Sequence, residues 1–355
     1  MSIVEFPDAG KVSADFLEAV VYPRCGARRD EVRVGPAPGV DTAVIDLPNG
    51  YSIAMTTDPC SLIPALGLEE SAWLTVHLLA SDITTTGCPP MYALFDLNLP
   101  PDLSAADFAA YWSHVHAFCE ALGCAIVGGH TGRFEGQRST IAGGGMMVTV
   151  ARTDDILTSR GGRPGDRVLV TRECGIAAVS ILARTFPETI AAACGDDVLE
   201  YGQALFYQSS TAAAALAAVR VGRGDEGVTA MHDATEGGVR AALVELATAS
   251  GCGLRVNAER IPTSDAAAAI ARTFGLDPFE IVGAGALVIA VAPDRAEAVI
   301  DVLAAEGIPA TDVGELTERA EGCSIVRNGR ATPLTHPGFD PYWRAFYRAV
   351  EEGKR

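Results

Sequence analysis

Strand-like and helix-like runs alternate along the whole chain, and one short segment rich in Gly, Pro and charge, TSRGGRPGD (158–166), breaks the alternation near the middle. With 355 residues the chain exceeds what one hydrophobic core usually serves, so the break is the expected boundary between a domain at 1–157 and a domain at 158–355. In the first half, TAVIDL, the turn PNG and YSIAMTTD read as a β-hairpin from Thr42 to Asp58. A helix follows from Glu69, then the strand MYALFDLNL, a helix capped by Ser104 and ending at Gly123, and the strands AIVGG and GGMMVTVA. In the second half, DRVLVTR, VTAMHD, GLRVN and ALVIAVAP read as strands among Ala-rich helices, with a last hairpin at Val326–Gly329. This order predicts an α/β fold class, with sheet-and-helix layers in both domains, helices on one face of each sheet, and the C-terminal sheet covered by helices.

Composition narrows the functions open to such a fold. Lys and Arg number 27 against 45 Asp and Glu, a net charge of −18, and no basic run occurs, so no nucleic-acid partner is expected. No stretch approaches the roughly 20 apolar residues of a membrane helix, and no basic region followed by an apolar run begins the chain, so neither membrane nor signal peptide is expected. The nine cysteines contain no CxxC pair, which points to reduced thiols in a cytoplasmic setting.

One acid stands out against this background. In HLLASDITTTG, Trp73, Val76, Leu79 and Ile83 recur at helical spacing, yet Asp82 sits among them without a basic neighbour in sequence. A buried carboxylate needs a cation or hydrogen-bond donors. Three more acids hold comparable places: Asp41 just before TAVIDL, Asp58 at the end of YSIAMTT, and Asp233 at the end of VTAM. Four carboxylates on one rim repel one another unless a divalent cation and phosphates sit among them, and Mg²⁺ with its preference for oxygen ligands suits them. Taken singly, each Asp also serves as an ordinary cap or turn residue. In IVGGHTGRFEG, paired glycines after a strand would bring backbone N–H groups to phosphate oxygens, with His130, Thr131 and Arg133 as further donors.

Other patterns lead elsewhere. No GxxxxGK[ST] segment occurs, and GRGDEG (222–227) follows a helix and precedes a strand, the reverse of a dinucleotide fingerprint. His114 and His116 fall on different faces of a helix, Cys60 and Cys88 are buried thiols beside Asp58 and Asp82, and the aromatics of the tail (Trp343, Phe346, Tyr347) read as a docking helix.

Together, GPAPGVDTAV, TTDP, SDITTTGCPP, VGGHT, MHDATEGG and VGAGALVIAV resemble, in order, segments of the aminoimidazole ribonucleotide (AIR) synthetase superfamily over most of the chain. The layout looks closest to the AIR synthase-related proteins grouped with the hydrogenase-maturation carbamoyl dehydratase. The resemblance implies two domains, N-terminal strands that pair across a homodimer into a barrel, and ATP bound between the domains. It implies that Asp41, Asp58, Asp82 and Asp233 hold Mg²⁺ against ATP phosphates, with Lys11, Thr57, Gly128, Gly129, His130 and Thr131 as nucleotide contacts. It further implies phosphoryl transfer to an oxygen of a small substrate, an amide-like carbonyl, followed by dehydration or cyclisation. His232, Asp233 and Glu236 form the implied catalytic group, His232 or Glu236 handling a proton near the acceptor. The chain departs from that dehydratase in ending EEGKR and in carrying Glu236 where the dehydratase has Arg. A small-molecule kinase similar to thiamine monophosphate kinase and a nucleotide-binding protein without turnover are the alternative readings.

Overall fold

The hairpin at Thr42–Asp58 forms because Asn49 and Gly50 both adopt positive φ (76° and 74°), the type I′ geometry whose twist matches that of paired strands. In the computed structural model, which describes residue 12, residues 14–137 and residues 139–355, this hairpin seeds a six-stranded sheet. Its strands are β1 (Val32–Val34), β2 (Ala43–Leu47), β3 (Tyr51–Ser61), β4 (Tyr92–Leu99), β5 (Ala125–Arg133) and β6 (Ile141–Arg152), in the order β1-β2-β3-β6-β4-β5. Only β4 and β5 run parallel. After the short turn α1 (Ala14–Phe16), the helices α2 (Leu68–Thr84) and α3 (Ala105–Ala121) cover one face of the sheet. There Ala93, Phe95, Leu97 and Leu99 of β4 meet Val76, Leu79 and Ile83 of α2 and Tyr111, Val115 and Cys119 of α3. The alternate residues Tyr92 and Leu94 remain exposed on the other face, as the two-residue period of a strand requires.

Two expectations about this sheet change. Asp58 does not end β3, which continues to Ser61. The GGHT stretch is no turn: it lies inside β5, with His130 opposite Asp96 and Thr131 opposite Leu97. The glycines there answer first to packing, because a Cβ on Gly129 (φ 147°) would fall onto the Phe95 carbonyl of β4. Gly143 (φ 119°) meets the Asp96 carbonyl in the same way from the other side of β4. The strand is thus squeezed between two glycines that admit no side chain.

The second sheet has seven strands, β7 (Arg167–Thr171), β8 (Val228–Asp233), β9 (Gly253–Asn257), β10 (Leu287–Val291), β11 (Ala310–Thr317), β12 (Cys323–Arg327) and β13 (Arg330–Pro333), in the order β13-β12-β9-β11-β7-β10-β8. Helices cover both of its faces rather than one. On one side lie Leu243 and Leu246 of the helix Gly238–Ser250; on the other lie Ala215 of Ala212–Ala218 and Val299 and Leu303 of Ala296–Ala305. The reason is legible in β10, LVIAV, an unbroken apolar run buried at every position, as strands covered on both faces are.

Helix α2 belongs to both halves. Its Leu74 joins Ile176, Phe186 and Phe346 in a cluster of the second half, while Leu79 and Ile83 point into the first. Polar contacts sew it to one loop: Trp73 Nε1 donates to Ser209 Oγ (3.0 Å), His77 Nδ1 lies 3.0 Å from Ser210 Oγ, and Ser81 Oγ accepts from Thr211 N (3.0 Å). The tail helix Tyr342–Glu351 docks on the same cluster through Tyr342, Phe346 and Ala349. No single helix among the described residues is long and apolar enough to cross a membrane.

The glycine packing around β4 is testable by comparing two alanine variants in urea denaturation. Gly50→Ala meets open space and retains only left-handed strain, an expected loss of roughly 1 kcal/mol. Gly143→Ala adds overlap with a strand carbonyl, for which an expected loss of about 3 kcal/mol or more follows. Equal losses would show that β4 is not held this tightly.

Candidate active site

Asp82 occupies the last turn of α2, Asp41 lies just before β2 and Asp233 is the last residue of β8. From these distant segments one carboxylate oxygen of each comes within 4.8 Å of the others. Asp233 and the Asp41 side chain are almost fully buried. Asp82 keeps some accessible surface through a hollow although protein surrounds it closely. Asp41 Oδ2 and Asp233 Oδ2 are buried without a hydrogen-bond partner. Burial, then the charges of Asp58 and Asp41, push the Asp82 carboxyl well above its usual range, against a hydrogen bond from Thr56 Oγ1 to Asp82 Oδ2 of 2.7 Å. Burial, then Asp82 and Asp41, do the same to Asp233.

Successive side chains of a strand point to opposite faces. Asp233 therefore turns to Asp82, while His232 turns to the helix Gly238–Ser250 and places Nε2 3.0 Å from Glu245 Oε2. Its Nδ1 stands 2.6 Å from Asp41 Oδ1 as an ion-pair contact that is not aligned as a hydrogen bond. Burial works against a charged imidazole, yet Asp41 and Glu245 on its two sides hold it well above the usual histidine range. Glu245 also faces His336 at 3.4 Å.

The three acids open into a cavity of about 550 Å³ that Thr56, Thr57, Asp58, Glu236, Trp343 and Tyr347 help to line. Asp58 is outside the tightest group and stands instead where this cavity meets a second, of about 600 Å³, lined by Gly129, His130 and Gly143–Met146. Thus Asp41, Thr57, Asp58, Asp82, His232, Asp233 and Glu236 share one cavity, and Gly129 and His130 share the next. Gly128 and Thr131 line neither, and Lys11 lies outside the described residues. Thr56, Glu245 and His336 are contacts that sequence reading missed. Thr56 is one step along a strand from the expected Thr57, and the other two carry no local motif.

The donor set suits a hard divalent cation: three carboxylates, two with unpaired buried oxygens, and no sulfur ligand among them. Family models for the AIR synthase related protein match at residues 39–151 (N-terminal domain) and 163–326 (C-terminal domain). The chain belongs to the AIR synthase related family. Within that family it is similar to the carbamoyl dehydratase HypE of Rhizobium leguminosarum bv. viciae, with 28% identity over 77% of this chain and 75% of that protein. It is also similar to the thiamine-monophosphate kinase of Halobacterium salinarum, with 30% identity over 81% of this chain and 90% of that one. The fold matches a crystal structure of the hydrogenase maturation protein HypE in complex with ATP, with a TM-score of 0.68 and 21% identity over 92% of this chain and 93% of that one.

Relieving the crowding of charge should separate the intrinsic cost of the acid cluster from any gain on binding a cation. Without divalent cations, Asp233→Asn is expected to match or exceed wild type in urea denaturation, since it removes one of three mutually repelling buried carboxylates. With Mg²⁺ at about a hundredfold its Kd, wild type should gain about 3 kcal/mol and the variant little. An equal gain in both would rule out the cluster as the cation site.

Proposed function

We propose that the chain binds Mg-ATP at Asp41, Asp58, Asp82 and Asp233 and transfers the terminal phosphoryl group to an oxygen of a small substrate, an amide-like carbonyl, which is thereby activated for dehydration or cyclisation. The carrying observation is the convergence of three carboxylates, two with unpaired buried oxygens, on a cavity that shares Thr57, Asp58 and Pro59 with a glycine-rich one. The family membership, the enzyme names of the relatives and the ATP complex of a similar fold support the same reading.

Asp41, Asp82 and Asp233 would hold the cation, with Thr56 fixing the rotamer of Asp82 through its hydrogen bond. Bound Mg²⁺ supplies charge neutralisation for the triphosphate and in-line alignment. Asp58 lies where the phosphate chain would pass from one cavity to the other, and Gly129, His130 and the glycines of β6 line the second cavity beside Leu94, Phe95 and Met146. His232, clamped by Asp41 and Glu245, orients Asp41. Glu236 lines the same cavity and would accept a proton from the acceptor's side. Wedged between halves, α2 ties the position of Asp82 to that of the second sheet.

The exposed face of the first sheet supports a homodimer. Tyr92, Leu94 and Val127 are exposed there, and β5 is an edge strand whose outer backbone groups are open. A second copy covering this face would close the two sheets into a barrel. The nine cysteines, none disulfide-bonded, support a reducing cytoplasmic setting.

Two measurements check these readings. With a competent acceptor, Asp82→Asn should lower ATP turnover by about a hundredfold or more while Thr56→Ala lowers it less, since a ligand outweighs the group that orients it. Wild-type turnover in Asp82→Asn would defeat the catalytic reading, and a stable phosphorylated product released alongside ADP, without free phosphate or a dehydrated product, would favour the kinase that the Halobacterium relative suggests. Light scattering should show a dimer that Leu94→Asp converts to a monomer; a wild-type monomer would remove the barrel.

A further inference from the structure

The clamp on Asp41 does not end at His232. Glu245, on the helix Gly238–Ser250, holds His232 Nε2 with one carboxyl oxygen at 3.0 Å and meets His336 Nε2 with the other at 3.4 Å. His336 Nδ1 accepts from the Gly338 amide at 3.0 Å. A neutral imidazole that accepts at Nδ1 carries its hydrogen on Nε2, the atom that faces Glu245. The loop bearing Asp41 rests on the same helix: a Cβ on Gly39 (φ 69°), two residues before Asp41, would fall onto the Glu245 carbonyl.

His336 belongs to a segment that is fixed at both ends. At one end Arg240 donates from Nε to the Thr335 carbonyl (2.9 Å) and from Nη2 to Thr335 Oγ1 (3.2 Å). At the other, Asp340 accepts from the Gly237 amide (2.7 Å) and from the Tyr342 amide (2.8 Å), which joins the segment to the tail helix. Between them Pro337 packs so closely on Gly237 that a Cβ there would overlap its ring. The residues from Thr335 to Asp340 thus form a strap along the start of the helix that carries Glu245. A strap already ordered by these contacts spends little further entropy in holding His336 against the carboxylate.

Three contacts therefore run in series, His336 to Glu245, Glu245 to His232 and His232 to Asp41. All four side chains line a cavity of about 270 Å³ that shares Asp41, His232 and Glu236 with the larger one but does not reach Asp82 or Asp233. The series approaches the acid cluster only through Asp41.

Resting on the reading of Asp41, Asp82 and Asp233 as cation ligands, we propose that His336 is a positioning residue for the cation. Through Glu245 and His232 it holds Asp41 in the orientation that brings a carboxylate oxygen within 4.8 Å of those of Asp82 and Asp233. It touches neither cation nor substrate. Without it, one oxygen of Glu245 loses its tie, the carboxylate turns toward water, and His232 and Asp41 regain rotamers that a ligand must give up again on binding. The strap lies beyond the second family match, which ends at residue 326. It thereby sets the cation affinity of a cluster drawn from inside the matched segments.

The test is titration of the full-length protein with Mn²⁺, which takes the same oxygen ligands as Mg²⁺ and whose free ion is counted by electron paramagnetic resonance. Wild type, His336→Ala, His336→Gln, Asp82→Asn and Asp233→Asn are compared, each with a urea denaturation curve recorded without the metal. His336→Ala should raise the Mn²⁺ Kd about fivefold to tenfold, the low end for a group acting through a ligand's supports, because its side chain is a third exposed. His336→Gln, which can still donate to Glu245, should restore the Kd to within about twofold of wild type. The urea midpoint should be the same in wild type and both His336 variants. An unchanged Kd in His336→Ala overturns the proposal. So does an equal loss of Mn²⁺ binding in both His336 variants together with a lowered urea midpoint, which would make the strap a docking element only. If Asp82→Asn and Asp233→Asn bind Mn²⁺ as tightly as wild type, the cation reading itself falls, and the role of His336 falls with it.

Discussion

Three carboxylates packed within 4.8 Å of one another, with buried oxygens left unpaired, are a cost to any fold that holds them together. Each comes from a different element: the approach to β2, the end of α2 and the end of β8. No local propensity gathers them. What gathers them is α2, whose apolar residues are shared between two cores and whose polar residues bond Ser209, Ser210 and Thr211. The hydrophobic and hydrogen-bond energy of that helix holds the carboxylates against their repulsion, and a cation would reverse the sign of their contribution. Strain kept at a site and offset by the scaffold is a common signature of function.

His232 shows how the same scaffold handles a charge of the opposite sign. A buried imidazole on a fully covered strand would ordinarily stay neutral, but Asp41 on one side and Glu245 on the other make the cation the favoured form. Asp41 is thereby held between His232 and the acid cluster. One carboxyl oxygen is engaged and the other is left without a partner. An arrangement of this kind fixes the direction in which Asp41 presents its unpaired oxygen, which matters more for a ligand atom than its net charge does.

Much of this was legible in the sequence, for identifiable reasons. Asp82 could be read because a lone acid in an apolar helical pattern conflicts with the pattern, and the hairpin could be read because Asn-Gly has one strongly preferred turn. The fold class followed from the alternation of periods. The GGHT segment was read as a turn rather than a strand because glycine permits both, and only the neighbouring β4 decides between them. Thr56 was missed beside Thr57 because its contact with Asp82 depends on the register of β3 against α2, which tertiary packing sets. Coverage of the second sheet on both sides was present in LVIAV but was outweighed by the expectation of a single helical layer.

The tail helix was read as a docking element, and it is one, with Trp343 both packed against the core cluster and lining the cavity. Helical periodicity identifies which residues share a ridge, but it cannot say whether a second aromatic ridge faces solvent, a partner or a cavity. The deciding contact is non-local: Asp340 bonds Gly237, about a hundred residues earlier in the chain, and so brings Trp343 beside the turn that bears Glu236. The clustered aspartates come from segments that match the family models, 39–151 and 163–326, whereas Trp343 and Tyr347 lie beyond the second match. On the proposed reading, a core that would hold nucleotide and cation is closed by a terminal helix outside the family-matched segments, so the site's wall and its acid cluster are built from different parts of the chain.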